Sequence, residues 1–222
     1  MEWGMLSKPP ITPLQTRSKT ILATVLLAIA WIAALSLGLG ALLNYESAPG
    51  PVGSVPSTWP IGSKIELAAN GQTLVMLAHP HCPCTRASVS ELAQIMARVQ
   101  GKVHAYVLFL KPQNSGPEWD DTGLRRSAAE IPGVTVLSDV DGVEAHRFGA
   151  ETSGHTLLFG ERGQLLFSGG ITESRGHAGD NAGESAIVSL ANTHTSARAK
   201  TFVFGCSLRD HKIKGEESQW PR

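Results

Sequence analysis

An uncharged apolar run near the N-terminus constrains the fold of this chain more than any other feature. Residues Ile21 to Leu43 carry no charged side chain and are dominated by Leu, Ala, Ile and Val. Crossing the hydrocarbon core of a bilayer takes about 20 apolar residues in a helix. The run is therefore long enough to cross a membrane, and the chain that follows it is expected to fold on one side of that membrane.

The charges that flank this run predict its orientation. Lys8, Arg17 and Lys19 precede it, whereas Glu46 is the first charged residue after it. Because basic residues are retained on the cytoplasmic side, the N-terminus is predicted to be cytoplasmic and the rest of the chain extracytoplasmic, in the periplasm. We predict a cytoplasmic segment over residues 1–19 and a transmembrane signal anchor over residues 20–43.

A cleaved signal peptide is the alternative to this anchor, because its N-terminal region is also basic. The apolar core of a signal peptide normally has only about 7–15 residues, which is shorter than the run in this chain. Ser47-Ala48-Pro49 is a weak match to the small-residue pattern of a cleavage site. The uncleaved anchor is the favoured interpretation.

A change of composition follows the apolar run. Four prolines lie among glycines and serines between Ser47 and Pro60, a pattern that forms neither a helix nor an interior strand. We predict an extended linker over residues 44–64, a folded domain over residues 65–192 and a C-terminal extension over residues 193–222. The formal net charge of zero argues against the electrostatic capture of nucleic acid.

The first part of the domain predicts a βαβ unit. Thr73 to Ala78 is a continuous apolar run, which is typical of a strand covered on both faces. Apolar residues at three- and four-residue spacing predict a helix over Arg86 to Val99, and a second apolar run predicts a strand over Val103 to Leu110. Functional sites of α/β sheets gather at the carboxyl ends of such strands.

The second half of the domain predicts shorter elements. They are a helix over residues 121–130, a strand over 133–137, an acidic turn over 138–142, a helix over 143–148, a hairpin of strands over 155–159 and 164–170, and a helix over 182–191. Parallel crossovers followed by an antiparallel pair predict an α/β sandwich with a mixed central sheet. The polar segment 175–181 is predicted to be a surface loop that caps the last helix through Asp180 or Asn181, in preference to lining a site.

Two cysteines lie in the sequence His79-Pro80-His81-Cys82-Pro83-Cys84-Thr85-Arg86, between the first strand and the first helix of the domain. A thiol at the start of a helix is close to unpaired backbone N–H groups and to the positive end of the helix dipole. Both effects favour the thiolate, which is the reactive form of cysteine. We predict thiol redox chemistry, with Cys82 as the attacking thiolate and Cys84 as a thiol that resolves the product.

These motifs together resemble the thioredoxin-like superfamily over residues 65–191. The resemblance rests on a cysteine pair at the opening of a long helix, the acidic turn Asp141-Gly142 and the hairpin near the end of the domain. Membrane-anchored thiol–disulfide oxidoreductases and peroxiredoxin-related proteins are the closer comparison, and the sequence from Cys82 to Ala87 is similar to that of RedB-type proteins. The resemblance implies a thioredoxin-like three-layer sandwich and exchange with protein thiols and disulfides or with a small thiol substrate.

The chain departs from the thioredoxin pattern at two positions. Thioredoxins space their cysteines as Cys-x-x-Cys, so the resemblance places Thr85 at the usual resolving position and makes Cys84 an additional sulfur. His155 stands where the family has a cis-proline opposite the thiols. A cis bond before a residue other than proline costs about 2.5–4 kcal/mol, so a trans peptide is predicted, with the imidazole facing the thiols as a supporting group.

Three further residues are predicted to act in or beside this site. His81 and Arg86 are basic neighbours of Cys82 that are expected to favour its thiolate. Cys206 is either a distant resolving thiol or a buried core residue, and three cysteines leave at least one unpaired in a monomer. A Cys82–Cys84 disulfide would close a small strained ring. The alternative to a redox function is that these two cysteines form a permanent structural disulfide.

Two other functional classes remain open from the sequence. His79, His81, Cys82 and Cys84 offer imidazole and thiolate ligands for copper or zinc, with Cys206 or His155 able to complete the set, as expected of a metallochaperone. A membrane-anchored adaptor without catalysis is the third class. For the favoured redox function, no cofactor is expected.

Overall fold

The structure is a computed structural model that describes residues 13–208. The first twelve residues of the predicted cytoplasmic segment and residues 209–222 of the predicted extension lie outside the described residues. The chain divides into two compact units, one that ends at Tyr45 and one that begins at Glu46.

The first unit is a single long helix. Helix α1 spans Pro13–Ser47, and from Arg17 onward it is long and apolar enough to cross a membrane. Leu26, Trp31 and Leu37 of this helix are each more than half exposed. The helix is longer than the uncharged run because the flanking polar residues continue the same hydrogen-bonded backbone.

The second unit contains a five-stranded mixed sheet in the order β3-β2-β1-β4-β5. Its elements are β1 (Gln72–Ala78), α2 (Pro83–Val99), β2 (Val103–Lys111), α3 (Gly123–Ala129), β3 (Val134–Val140), α4 (Val143–Arg147), β4 (His155–Phe159), β5 (Leu165–Gly169) and α5 (Ala182–Thr193). Strands β1, β2 and β3 are parallel, whereas β4 is antiparallel to both β1 and β5. The predicted sandwich with a mixed sheet is confirmed.

Strand β1 lies at the centre of the sheet and is buried on both faces. Leu74, Met76 and Ala78 pack into the core beneath α2, α3 and α5. Val75 and Leu77 point into a second core on the opposite face, which α4 and the segment before β1 cover. These two cores make the domain a three-layer sandwich, and they hold the carboxyl end of β1, where the cysteine pair follows, between two packed layers.

Strand β3 continues through residues that the sequence predicted to be a turn. Asp139 pairs with Leu110 of β2 and is only 3% exposed. Its carboxylate accepts the backbone N–H groups of Glu144 (2.8 Å) and Ala145 (2.9 Å) at the start of α4. An acidic residue enters the strand because it caps the next helix, and the chain reverses only at Asp141 and Gly142, which both have positive φ.

The segment predicted to be a linker packs against the domain. The N–H of Trp59 donates to the Gly163 carbonyl at 2.7 Å, and the indole ring lies edge-on to Phe148 and Phe159, with centroids 5.3 and 5.1 Å away. Closer to the N-terminus, the N–H of Gly50 donates to the Val203 carbonyl at 2.8 Å. Proline prevents helix formation here, but an extended backbone can still pair with the edge of a sheet.

The chain beyond α5 also returns to the domain, as a segment that we call the C-terminal strap, residues 199–208. At its start, the N–H groups of Ser168 and Gly170 donate to carbonyls of the strap. At its end, the N–H of Leu208 donates to the Glu151 carbonyl at 2.8 Å. The strap thus runs from the edge strand β5 to the residues that precede β4, beside the start of α2.

Candidate functional site

Cys82 occupies the N-cap position of α2. Its backbone is extended, with φ −81° and ψ 116°, and Pro83 is the first residue of the helix. Proline suits this position because the first helical N–H has no partner within the helix in any case. The helix consequently begins three residues before the predicted start at Arg86, and it places the Cys82 sulfur at its N-terminus, beside unpaired donors.

The sulfur of Cys82 is buried among hydrogen-bond donors. The residue is 3% exposed, and its Sγ accepts the backbone N–H of Cys206 at 3.4 Å. The pKa of Cys82 is lowered from 9.0 to about 4, chiefly by a hydrogen bond from the Cys206 side chain. Burial opposes this shift, and hydrogen bonds from Thr85 add to it. Cys82 is therefore a thiolate at neutral pH.

Thr85 belongs to a short chain of hydrogen bonds that begins at the end of β1. The N–H of His79 donates to Ser153 Oγ at 2.8 Å, and Ser153 Oγ lies 2.6 Å from Thr85 Oγ1. When Thr85 donates its hydroxyl hydrogen to the Cys82 sulfur, its oxygen is free to accept the hydroxyl hydrogen of Ser153. The family resemblance had placed Thr85 at the usual resolving position, and its hydroxyl instead supports the Cys82 sulfur, whereas no signal in the sequence pointed to Ser153.

The other two cysteines remain protonated beside this thiolate. The pKa of Cys84 is raised by burial and then by the negative charge of Cys82. The pKa of Cys206 is raised mainly by its hydrogen bond to Cys82, with burial as the second cause. All three cysteines are free in the structure. The site thus combines one thiolate with two thiols, each hydrogen-bonded to it.

Arg175 is a cation that acts on the Cys84 and Cys206 sulfurs, although the sequence predicted that it lies in a surface loop. Its positive charge lowers the pKa of both Cys84 and Cys206, and its Nη1 donates to the Gly205 carbonyl in the strap. The prediction that segment 175–181 stays away from the site is therefore wrong for Arg175. It is correct for Asn181, whose side chain caps α5 by accepting the Glu184 N–H at 2.8 Å.

His155 lies within β4 and does not take the role expected from its alignment with the family proline. Its Nε2 is 2.9 Å from Ser168 Oγ, and it shares a face of the sheet with Leu157, opposite the face covered by α2. Burial lowers the pKa of His155 from 6.5 to about 4, so the imidazole is neutral at pH 7. The peptide bond before it is trans, as predicted.

His81 and Arg86 are exposed and border a cavity beside Cys82. This cavity has a volume of about 780 Å³ and lies between the start of α2 and α3. Its apolar lining comes from Val89, Ala93, Leu124 and Ile131. Cys82 lines it, whereas neither Cys84 nor Cys206 does, so a molecule that enters the cavity meets the thiolate first.

Within residues 13–208, no group of three or more His, Cys, Asp or Glu side chains is placed to hold a metal ion. The four ligands of the copper or zinc alternative, His79, His81, Cys82 and Cys84, thus do not assemble as one group. The ring of His79 instead accepts the His81 backbone N–H through Nδ1 at 3.1 Å.

Comparisons with known proteins concern the fold. No protein-family model and no curated protein matches the sequence. An uncharacterized conserved protein from Geobacillus kaustophilus is 17% identical with a TM-score of 0.55, over 74% of this chain and 94% of that chain. A secreted Mycobacterium tuberculosis disulfide oxidoreductase homologous to E. coli DsbE is 18% identical with a TM-score of 0.40, over 54% and 81% of the two chains. The likeness to the Geobacillus kaustophilus protein shows a shared fold, and the assignment of that fold to the thioredoxin-like superfamily stays a prediction.

Proposed function

We propose that this chain is a membrane-anchored thiol redox protein in which the Cys82 thiolate attacks disulfides. One observation carries the proposal: the buried Cys82 sulfur at the start of α2 is surrounded by donors from Cys206 and Thr85 that hold it as a thiolate. Thiolates, and not thiols, attack disulfides, and a second thiol beside the first allows the product to be released.

The reaction follows from this arrangement. A disulfide enters the cavity that Cys82 lines, and the thiolate attacks one of its sulfurs. The other sulfur leaves with the electron pair of the broken bond and takes up a proton. The resulting mixed disulfide is resolved when Cys84 or Cys206 loses its proton and attacks the Cys82 sulfur, which releases the second half of the substrate. Two protein thiols are oxidised, and one substrate disulfide is reduced.

The site is proposed to lie outside the cytoplasm. Helix α1 is apolar enough to anchor the chain, and Arg17 and Lys19 at its start favour a cytoplasmic N-terminus. The domain that follows residue 45 would then be periplasmic, where disulfides persist and where thiol exchange partners are available. Protein thiols and disulfides, or a small thiol compound, are the proposed substrates, and no cofactor is required.

The pH dependence of cysteine alkylation tests the proposal. Full-length protein, reduced and held in detergent, is alkylated with iodoacetamide at pH values from 3 to 9, and each cysteine is quantified by mass spectrometry. We expect the rate at Cys82 to reach half of its plateau near pH 4, in line with its lowered pKa. A rate at Cys82 that rises only near pH 9, as for an ordinary thiol, would show that no thiolate is held there. Cys82→Ser is the control that identifies the signal.

A further inference from the structure

Two thiols contact Cys82, and the structure distinguishes their roles. We propose that Cys206, carried by the C-terminal strap, is the thiol that resolves Cys82, so that the oxidised protein contains a Cys82–Cys206 disulfide. This inference rests on the proposed function, because it concerns the second half of the same exchange reaction. It makes residues 199–208 part of the reaction machinery, although they lie beyond the predicted domain.

The strap is held so that Cys206 faces Cys82. Its backbone N–H donates to the Cys82 sulfur at 3.4 Å, and its carbonyl accepts the Ser153 N–H at 2.8 Å. On either side of it, the carbonyl of Gly205 accepts from Arg175, and the N–H of Leu208 donates to Glu151. Partners on both sides of Cys206 therefore fix its position relative to the thiolate.

Glycine at position 205 makes this close approach possible. A Cβ atom at that position would lie 2.0 Å from the Ser153 carbonyl oxygen, a distance at which the backbone would have to shift. Without a side chain, the strap lies directly against the residues that precede β4. The backbone contact brings Cys206 beside a cysteine that precedes it by 124 residues.

Cys84 is less suited to this role. It lies in the first turn of α2, two residues from Cys82, with Pro83 between them. A disulfide between cysteines two residues apart closes a small ring, and the bond has strict dihedral preferences that such a ring strains. No such ring constrains Cys206, because it belongs to a separate segment of the chain.

Loss of the negative charge on Cys82 during the reaction also makes Cys206 easier to deprotonate. While Cys82 is a thiolate, its hydrogen bond and charge raise the pKa of Cys206, and Arg175 lowers it. Formation of the mixed disulfide removes the charge of Cys82 and leaves Arg175 in place. Cys206 then loses its proton more readily, and its thiolate attacks the Cys82 sulfur. The bond between Cys82 and the substrate sulfur breaks, and the substrate leaves as a thiolate that takes up a proton.

Oxidised glutathione provides the test. Full-length wild type, Cys84→Ser and Cys206→Ser are reduced, freed of reductant, mixed with oxidised glutathione, quenched with acid at intervals and mapped by mass spectrometry. We expect wild type and Cys84→Ser to form the Cys82–Cys206 disulfide. In Cys206→Ser, the glutathione adduct on Cys82 should persist at least about tenfold longer than in wild type. Circular dichroism spectra of the three proteins establish that each remains folded.

The outcomes separate this inference from the proposed function. A Cys82–Cys84 disulfide in wild type, together with rapid loss of the adduct in Cys206→Ser, would overturn the role of Cys206 and leave Cys82 as the nucleophile. If Cys82 acquires no glutathione in any of the three proteins, the proposed function itself fails. Should Cys206→Ser prove unfolded, Cys84→Ser decides between the two thiols: it should lose the adduct as fast as wild type, because Cys206 is then the thiol left beside Cys82, and a persistent adduct in Cys84→Ser would overturn the role of Cys206.

Discussion

Cys82 and His155 are both buried, and the pKa of each is lowered to about 4, yet the consequences are opposite. For Cys82, donors from Cys206 and Thr85 outweigh burial, so the charged form prevails at neutral pH. For His155, burial is the cause of the shift, and the neutral form prevails. His155 Nδ1 has no hydrogen-bond partner among residues 13–208. Burial alone thus keeps a titratable group neutral, whereas burial among donors keeps it charged.

The largest expected difference between the two residues concerns exchange activity. Cys82→Ser should abolish the consumption of oxidised glutathione, because no thiolate remains at the cavity. His155→Asn should retain a rate close to that of wild type, because the imidazole lies on the opposite face of the sheet. The measurement is the initial rate of glutathione consumption by the full-length protein. Equal losses in the two variants would show that His155 belongs to the reacting site.

The two residues should also change the free energy of unfolding over different pH ranges. The folded pKa of Cys82 lies below its ordinary value of 9.0, so its stabilising contribution is complete above pH 9 and is lost as the pH falls towards 4. The contribution of His155 is complete above its ordinary pKa of 6.5 and is also lost towards pH 4. Of these two residues, only Cys82 therefore contributes a positive slope between pH 6.5 and 9, of at most about 1.4 kcal/mol per pH unit.

Thermal unfolding of the reduced protein, followed by circular dichroism, tests these two pH windows. Cys82→Ser should flatten the dependence of the unfolding temperature on pH between 6.5 and 9. His155→Asn should leave that range unchanged and flatten the dependence only below pH 6.5. An unchanged slope above pH 6.5 in Cys82→Ser would contradict the thiolate assignment.

Displacement of the strap should make Cys82 more like an ordinary buried thiol. Gly205→Ala places a methyl group against the Ser153 carbonyl, so the strap must move and the donors of Cys206 move with it. We expect the pKa of Cys82 to rise by more than about one unit, because the largest cause of its lowering is weakened. Gly123→Ala is the matched control, since an added Cβ there has no neighbour within 4 Å. Alkylation rates as a function of pH provide the measurement.

The smallest expected effect comes from the hydroxyl beside the sulfur. Thr85→Val keeps the shape of the side chain and removes its donor, so the pKa of Cys82 should rise by about one unit or less. Thr85→Ser retains the hydroxyl and should keep the wild-type value. The same alkylation profile distinguishes the two variants. A rise of equal size in Thr85→Ser would mean that packing around the methyl group, and not the hydrogen bond, is responsible.

Local patterns in the sequence predicted much of the domain. Strand β1 was predicted from its continuous apolar run and helix α2 from the spacing of its apolar residues, because the buried faces of a segment are visible in its own residue pattern. The hairpin of β4 and β5 was found for the same reason. The exceptions are residues whose role depends on a partner distant in the chain. Asp139 looked like part of a turn because the residue that pairs with it in the sheet, Leu110, belongs to a separate segment of the chain.

The sequence by itself determined that one helix is apolar enough to span a membrane, that an α/β sheet follows it, and that Cys82 stands at the start of a helix. Each of these follows from residues that are close in the chain. Only the tertiary structure brought Cys206, Ser153 and Arg175 to that cysteine and left His155 on the other face of the sheet. The physical reason is that a thiolate is stabilised by donors and charges within a few ångströms, and the folded backbone, not sequence distance, decides which groups those are.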